Sequence, residues 1–111
     1  MRVQGNRLKP VRLRIRGALW TIRFASPQEM GTDWGRCWEK PTNARLIEIR
    51  RSLRERDMCN TIIHECLHAC VPDLKESTVD EAACVAARAL YAAQYRRARG
   101  ARCVKKKGRK R

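Results

Sequence analysis

The stretch that decides the fold is TIIHECLHACVPDLKESTV, residues 61–79, where one helix ends and a second begins. Before the break, apolar residues recur at helical spacing and predict a helix over residues 53–70: Leu53, Met58, Ile62 or Ile63, Leu67, and Ala69 or Cys70. Pro72 ends this helix, because proline disfavours the helical conformation of the residue before it.

The second helix is predicted from about Leu74 to about Arg97. Asp73, followed three residues later by Glu76, resembles a capping box and marks its start. Its many alanines favour a helix that packs closely against a neighbour. The predicted apolar stripe consists of Val79, Ala82, Ala83, Ala86, Leu90 and Ala93.

Three segments before the helices have the patterns of β-strands. Residues 11–16 alternate apolar and arginine side chains, and residues 19–25 are rich in β-forming residues, so the two predict a hairpin that turns at Gly17 and Ala18. Residues 44–50 predict a third strand. Residues 26–43 contain several Pro and Gly and predict a long loop, with a short turn of structure around Trp34.

These elements predict an α+β fold in which a small antiparallel or mixed sheet of about three strands packs on the two helices. The 111 residues are enough for one domain. We assign it to residues 1–95. Residues 96–111 are predicted to be a basic tail that is disordered when free, because like charges at this density repel.

Composition limits the class of protein. The formal net charge of +15 favours polyanions as partners through long-range attraction. Residues 1–9 lack the apolar core of a signal peptide, and no apolar run approaches the roughly 20 residues of a membrane-spanning helix. We therefore expect a cytoplasmic protein with no membrane partner.

Six cysteines raise the question of disulfides or a zinc ribbon. The expected cytoplasmic location argues against a disulfide framework, since thiols there are kept reduced. No pair of cysteines has the CxxC spacing, which argues against a site with four cysteine ligands. Most of the cysteines are therefore expected to be small core residues or exposed residues without a role.

The motif HExxH lies on the first predicted helix. His64 and His68 are four residues apart, so both imidazoles lie on one face and can bind one cation. Zinc accepts imidazole nitrogen readily, and catalytic zinc sites have three protein ligands. Glu65 lies beside the pair and is the candidate general base toward water. The alternative is an ordinary helix that carries these three residues by chance.

A third ligand is expected from the start of the second helix, where Glu76, Asp80 and Glu81 are the candidates. Glu76 lies nearest the predicted inward face and is preferred as a metal ligand, although it could serve only as a capping residue. Asp80 lies one turn further along and could orient a histidine ligand through its second nitrogen. Glu81 is predicted to point away.

Residues 61–69 and 72–79 resemble small HExxH proteins encoded by phages and prophages, which are described as SprT-like metallopeptidases. Residues 20–22, the loop around Gly35 and the strand at residues 46–49 fit the same layout, so that the resemblance covers roughly residues 11–95. Its most specific parts are the HExxH helix and the Leu-x-Glu-x-x-Val start of the next helix.

The resemblance implies a minimal zincin that hydrolyses a peptide bond in a peptide or protein substrate. In it the second helix supplies an acidic third zinc ligand, which corresponds to Glu76. It also implies an edge strand, expected at residues 46–50, that binds extended substrate by strand addition. Two departures stand out: there is no later histidine, which excludes the all-histidine ligand set of true SprT domains, and the tail is unusually basic.

A second hypothesis is a nucleic-acid-binding accessory protein whose zinc site is structural or vestigial. The tail and the basic N-terminal residues could contact phosphates without regard to base sequence: Arg2, Arg7, Lys9, Arg12, Arg14 and Arg16. No aromatic residue is interleaved in the tail, so base stacking is not expected there. Arg12, Arg14 and Arg16 are expected chiefly as the solvent-facing side of the first strand.

Overall fold

The computed structural model describes residues 8–38 and 44–95. It has the predicted α+β architecture, a four-stranded mixed sheet and two long helices. The strands are β1 (Val11–Ile15), β2 (Ala18–Ala25), β3 (Gly35–Trp38) and β4 (Leu46–Arg50). The helices are the short α1 (Pro27–Met30) and the long α2 (Glu55–Cys70) and α3 (Glu76–Ala92).

The strands follow the order β1-β2-β4-β3 across the sheet. β1 and β2 form the predicted antiparallel hairpin, β2 and β4 are parallel, and β3 returns antiparallel to β4. The hairpin turns at Arg16 and Gly17, one residue earlier than predicted. Both have positive φ, 52° and 80°, as the tightest hairpin turns require, and glycine accepts this conformation without strain.

Side chains alternate between the two faces of the sheet. The packed face carries the buried Trp20, Ile22, Ile47 and Ile49, which form a core with Met58 and other residues of α2. α3 packs on α2 through Val79, Ala83 and Ala87. Val79 and Ala83 of the predicted apolar stripe are buried, whereas Ala82 and Leu90 are exposed. The buried face of α3 is therefore rotated relative to the predicted one.

The opposite, open face carries no long helix. Its side chains are Arg12, Arg14, Leu19, Thr21, Arg23, Arg36, Trp38, Leu46, Glu48 and Arg50. The short α1 lies at one end of this face, where Arg23 contacts Glu29 and the Arg50 guanidinium donates to the Gly31 carbonyl. The rest of the face is open to solvent.

The segment predicted as a long loop, residues 26–43, contains two elements. Ser26 caps α1: its hydroxyl accepts from the Glu29 N–H, while the Glu29 carboxylate accepts from the Ser26 N–H. β3 follows, and its pairing with β4 makes four strands where about three were expected. Residues 39–43 lie outside the described part of the chain.

Leu46–Arg50 was expected to be the edge strand, and this expectation is wrong. β4 is an inner strand with β2 on one side and β3 on the other. β3 is the edge of the sheet on that side. The position of β3 was missed because its four residues show no strong β pattern and its pairing partner β4 comes only later in the chain.

The predicted capping box at Asp73 and Glu76 is also wrong. α3 begins at Glu76, its N-cap is Lys75, and no side chain makes a capping hydrogen bond there. The Glu76 carboxylate is consequently available for another contact. α3 ends at Ala92, whereas the prediction extended the helix to about Arg97, and residues 96–97 lie beyond the described residues.

The predictions for the basic tail, residues 96–111, and for Arg2 and Arg7 also concern residues outside the described ranges. Within those ranges, no helix is both long and apolar enough to cross a membrane.

Candidate metal centre

Helix α2 brings the two histidines together. His64 and His68 are one helical turn apart and half-buried, with ring centroids 4.8 Å apart. Their Nε2 atoms lie 3.1 Å from each other. Two imidazole nitrogens therefore point at one place beside the helix.

The first residue of α3 completes this group. Pro72 and the following turn reverse the chain, so that α3 starts beside the C-terminal half of α2. One carboxylate oxygen of Glu76, Oε2, lies 3.0 Å from His64 Nε2, and the other, Oε1, lies 3.1 Å from His68 Nε2. The capping role considered for Glu76 is thus replaced by a contact with both histidines.

Asp80 lies one turn further along α3. Its Oδ1 is 3.2 Å from Nδ1 of His64, the ring nitrogen on the side away from Glu76. When Nδ1 donates its proton to this carboxylate, the lone pair of Nε2 is directed at the place that Glu76 and His68 also face. Asp80 is therefore positioned to orient His64.

The geometry of these three residues fits a metal ion. The distances among the two Nε2 atoms and the nearest Glu76 oxygens are 3.0–3.1 Å. Ligand atoms of a tetrahedral ion with bonds of about 2.0–2.1 Å are separated by about 3.3 Å, so a small adjustment admits the ion. His64, His68 and Glu76 could together hold a metal ion, and they are the one such group among residues 8–38 and 44–95.

The other candidates do not enter this group. Glu81 is exposed on α3 and contributes no atom to it. The cysteines of the described ranges form no disulfide and are likewise absent from the group. Burial raises the pKa of the Cys66 thiol, with Cys70 and Glu65 acting in the same direction, which keeps this thiol protonated and a poor ligand.

Glu65 is the buried acid beside the group, and only 8% of it is exposed. Burial raises the pKa of its carboxyl to about 6; His68 opposes this effect, while Glu76 and Asp33 add to it. Glu65 and His68 line the same groove. The Glu65 carboxylate can therefore reach a molecule that lies against His64, His68 and Glu76 (the metal group).

Gly35 determines how closely β3 can approach Glu65. A Cβ atom at this position would lie 2.7 Å from Thr61 Cγ2, 2.9 Å from Glu65 Cγ and 2.9 Å from Glu65 Oε2. All three distances are shorter than normal van der Waals contacts, so a larger residue would displace α2 or turn Glu65. The sequence prediction placed Gly35 in a loop and gave it no role at the site.

A groove of about 830 Å³ runs between the edge strand β3 and the end of α2. Its walls are formed by β3 on one side and by Glu65, His68, Pro72 and Asp73 on the other. Arg16 and Arg36 also line it. Tyr91 and Tyr95 line a separate, apolar pocket beside Met58 and Ile62.

Comparison of the chain with protein-family models, with curated proteins and with solved structures gives no match.

Proposed function

We propose that this protein is a zinc-dependent peptidase. The observation that carries the proposal is the convergence of His64 Nε2, His68 Nε2 and the Glu76 carboxylate within 3.0–3.1 Å of one another, with the buried Glu65 beside them in one groove. Two histidines and one glutamate form a ligand set typical of catalytic zinc in peptidases. The resemblance to phage and prophage HExxH proteins supports the same class, and with it a host cytoplasm as the place of action.

Each residue of the site has a separate role in the proposed reaction. His64, His68 and Glu76 would hold the ion, and Asp80 orients His64 through Nδ1. When bound, zinc supplies a Lewis acid that lowers the pKa of water and polarises a carbonyl group. Glu65 accepts the proton of the attacking water at its carboxylate and returns it to the leaving amine.

The edge strand β3 is the proposed binding site for the substrate backbone. The Arg50 N–H donates to the Trp34 carbonyl at 2.8 Å, so these two residues form a hydrogen-bonded pair of the antiparallel ladder. Gly35, the next residue, therefore directs its backbone N–H and C=O away from β4. An extended peptide that pairs with this edge lies in the groove next to Glu65 and His68, which favours a peptide as substrate.

The proposal is tested by metal analysis and proteolysis on the full chain. Purified protein should contain about one zinc per chain, and zinc should raise its thermal stability. Hydrolysis of labelled, denatured casein should be abolished in Glu65→Gln while the zinc content is kept. Glu81→Gln is the matched control, because it changes an exposed acid of α3 outside the metal group.

Two results would contradict the proposal. A folded protein that contains no zinc and whose stability ignores added zinc would remove the metal site. Hydrolysis retained at the wild-type rate by Glu65→Gln would remove the role of Glu65 as the base.

A further inference from the structure

The open face of the sheet has a basic edge that the peptidase proposal does not use. Arg12 and Arg14 lie on the edge strand β1, and both are exposed. Being two residues apart on one strand, they point the same way and are separated by about 6.8 Å. Their guanidinium groups make no hydrogen bond or ion pair with the residues at 8–38 and 44–95.

The other arginines of the open face are already paired. Arg23 donates to Glu48 at 2.6 Å and to Glu29 at 2.5 Å, and Arg36 donates to Asp33 at 2.8 Å. The middle of the face is therefore largely neutral. Arg12 and Arg14 differ from these residues because they are cations held in place by the sheet and available to an external anion.

The opposite edge of the same face carries an exposed aromatic ring. Trp38, on β3, is 42% exposed, and its Nε1 donates to Glu48 Oε1 at 2.9 Å. This hydrogen bond holds the indole on the sheet. The ring is thus an ordered, accessible surface on which a planar group can stack.

The strand register connects the two edges. Arg12 pairs with Thr21, Thr21 with Leu46, and Leu46 with Trp38, so these four residues form one row across the sheet. Three strand spacings separate its ends, about 14 Å. The floor between them is uncharged, and Leu19, in the row of Arg14, is 53% exposed.

We propose that this open face binds single-stranded nucleic acid. Arg12 and Arg14 contact neighbouring phosphates, a base stacks on Trp38, and the floor of Leu19, Thr21 and Leu46 contacts the intervening sugars and bases. A cationic edge combined with an exposed aromatic is the arrangement that binds single strands without strong sequence preference. The net charge of +15 attracts the polyanion from a distance.

The choice of a single strand follows from Trp38. An indole can stack on a base only when that base is unstacked from its neighbours, which a duplex does not offer without distortion. An anionic membrane could contact the arginines but offers no planar group to stack on the ring. Trp38 also lines the groove beside Glu65 and His68, but neither it nor the two arginines belongs to the group of His64, His68 and Glu76, so either proposal can fail without the other.

The arginines are tested by binding of the full chain to labelled oligo(dT) of about 16 nucleotides, the upper length of one such site, across a salt titration. The double variant Arg12→Gln/Arg14→Gln should lose about tenfold in affinity at low salt, and the salt slope should fall by about 1.4, or about 0.7 for each lost phosphate contact. The control Arg54→Gln/Arg88→Gln removes the same charge from exposed positions at the start of α2 and on α3 and should weaken binding far less.

The stacking contact is tested in the same assay. Trp38→Ala should weaken binding about tenfold with little change in the salt slope, because the loss of stacking removes no charge. Trp38→Phe should retain most of the affinity, since it keeps a ring while losing the indole N–H. Tyr95→Ala, which removes an aromatic that is 71% exposed elsewhere, is the control.

Three outcomes would overturn the proposal. If the Arg12/Arg14 variant binds no more weakly than the control pair, the edge of β1 is not the phosphate site. If Trp38→Ala binds as the wild type does, no base stacks there. If a duplex of equal length competes as well as the single strand, the partner is not single-stranded nucleic acid.

Discussion

The two faces of the sheet differ in the burial and in the charge of their side chains. On the packed face, Ile47 and Ile49 are fully buried, and Gly35 leaves room for Thr61 and Glu65 of α2. On the open face, arginines and Trp38 reach into solvent, and half of Leu19 is exposed. The packed face fixes the position of α2, which carries His64 and His68, whereas side chains of the open face can be replaced with little effect on the fold.

The largest expected effect of this difference is on stability. Ile49→Ala should reduce the free energy of unfolding by about 2–5 kcal/mol, because it leaves a cavity under α2. Leu19→Ala on the open face should change it by less than about 0.5 kcal/mol. Urea unfolding followed by circular dichroism measures both. Equal losses would show that the two faces do not differ as described.

Gly35→Ala should cost about 1–3 kcal/mol, since the added methyl group overlaps with Thr61 and Glu65. It should also reduce hydrolysis more than zinc content, because the added Cβ overlaps with Glu65, whereas its three nearest atoms include none of His64, His68 or Glu76. Arg36→Ala, the neighbouring substitution on the open face, should cost less than about 1 kcal/mol. Unfolding curves, zinc content and the casein assay compare the two variants. A Gly35→Ala variant as stable and as active as the wild type would contradict the close packing of Gly35 against α2.

A third prediction concerns the pH dependence of the metal-free protein. The folded-state pKa of Glu65 is raised to about 6 from its ordinary 4.5, so its favourable contribution is complete below about 4.5 and is lost as pH rises through 6. Glu65→Gln resembles the protonated form. It should be more stable than the wild type by on the order of 1–2 kcal/mol at pH 7.5, and the gain should disappear at pH 4.

Glu48→Gln is the corresponding substitution on the open face, and the opposite change in stability is expected. Glu48 accepts hydrogen bonds from Arg23 and Trp38, so its charge is favourable there, and the substitution should lower stability by less than about 1 kcal/mol at pH 7.5. Unfolding in chelator at the two pH values compares the variants. A loss of stability in Glu65→Gln at pH 7.5 would reverse the sign and contradict the account of its burial.

The helices and the metal group were largely predictable from the sequence, because both depend on local spacing. The four-residue interval of His64 and His68 fixes their common face, and Pro72 fixes the reversal that returns an acid to them. Glu76, preferred over Asp80 as the third ligand, does contact both histidines, although Ala82 and Leu90 of the apolar stripe used to choose it are exposed.

The elements between β2 and β4 were harder to predict for physical reasons. α1 has a readable signal, since Ser26-Pro27-Gln28-Glu29 contains a capping box with proline in the first turn, and this signal was missed. β3 has no comparable local signal: it exists because β4 pairs with it. The contact of Gly35 with Glu65 depends on the tertiary packing of β3 against α2 and has no counterpart in local spacing.

The most direct test of the central claim is X-ray absorption spectroscopy of the zinc-loaded full chain. Ligation by His64, His68 and Glu76 predicts a shell of nitrogen and oxygen at about 2.0–2.1 Å with no sulfur, and loss of a ligand in Glu76→Ala but not in Glu81→Ala. A sulfur shell at about 2.3 Å would show that cysteines bind the zinc and would contradict the proposed site.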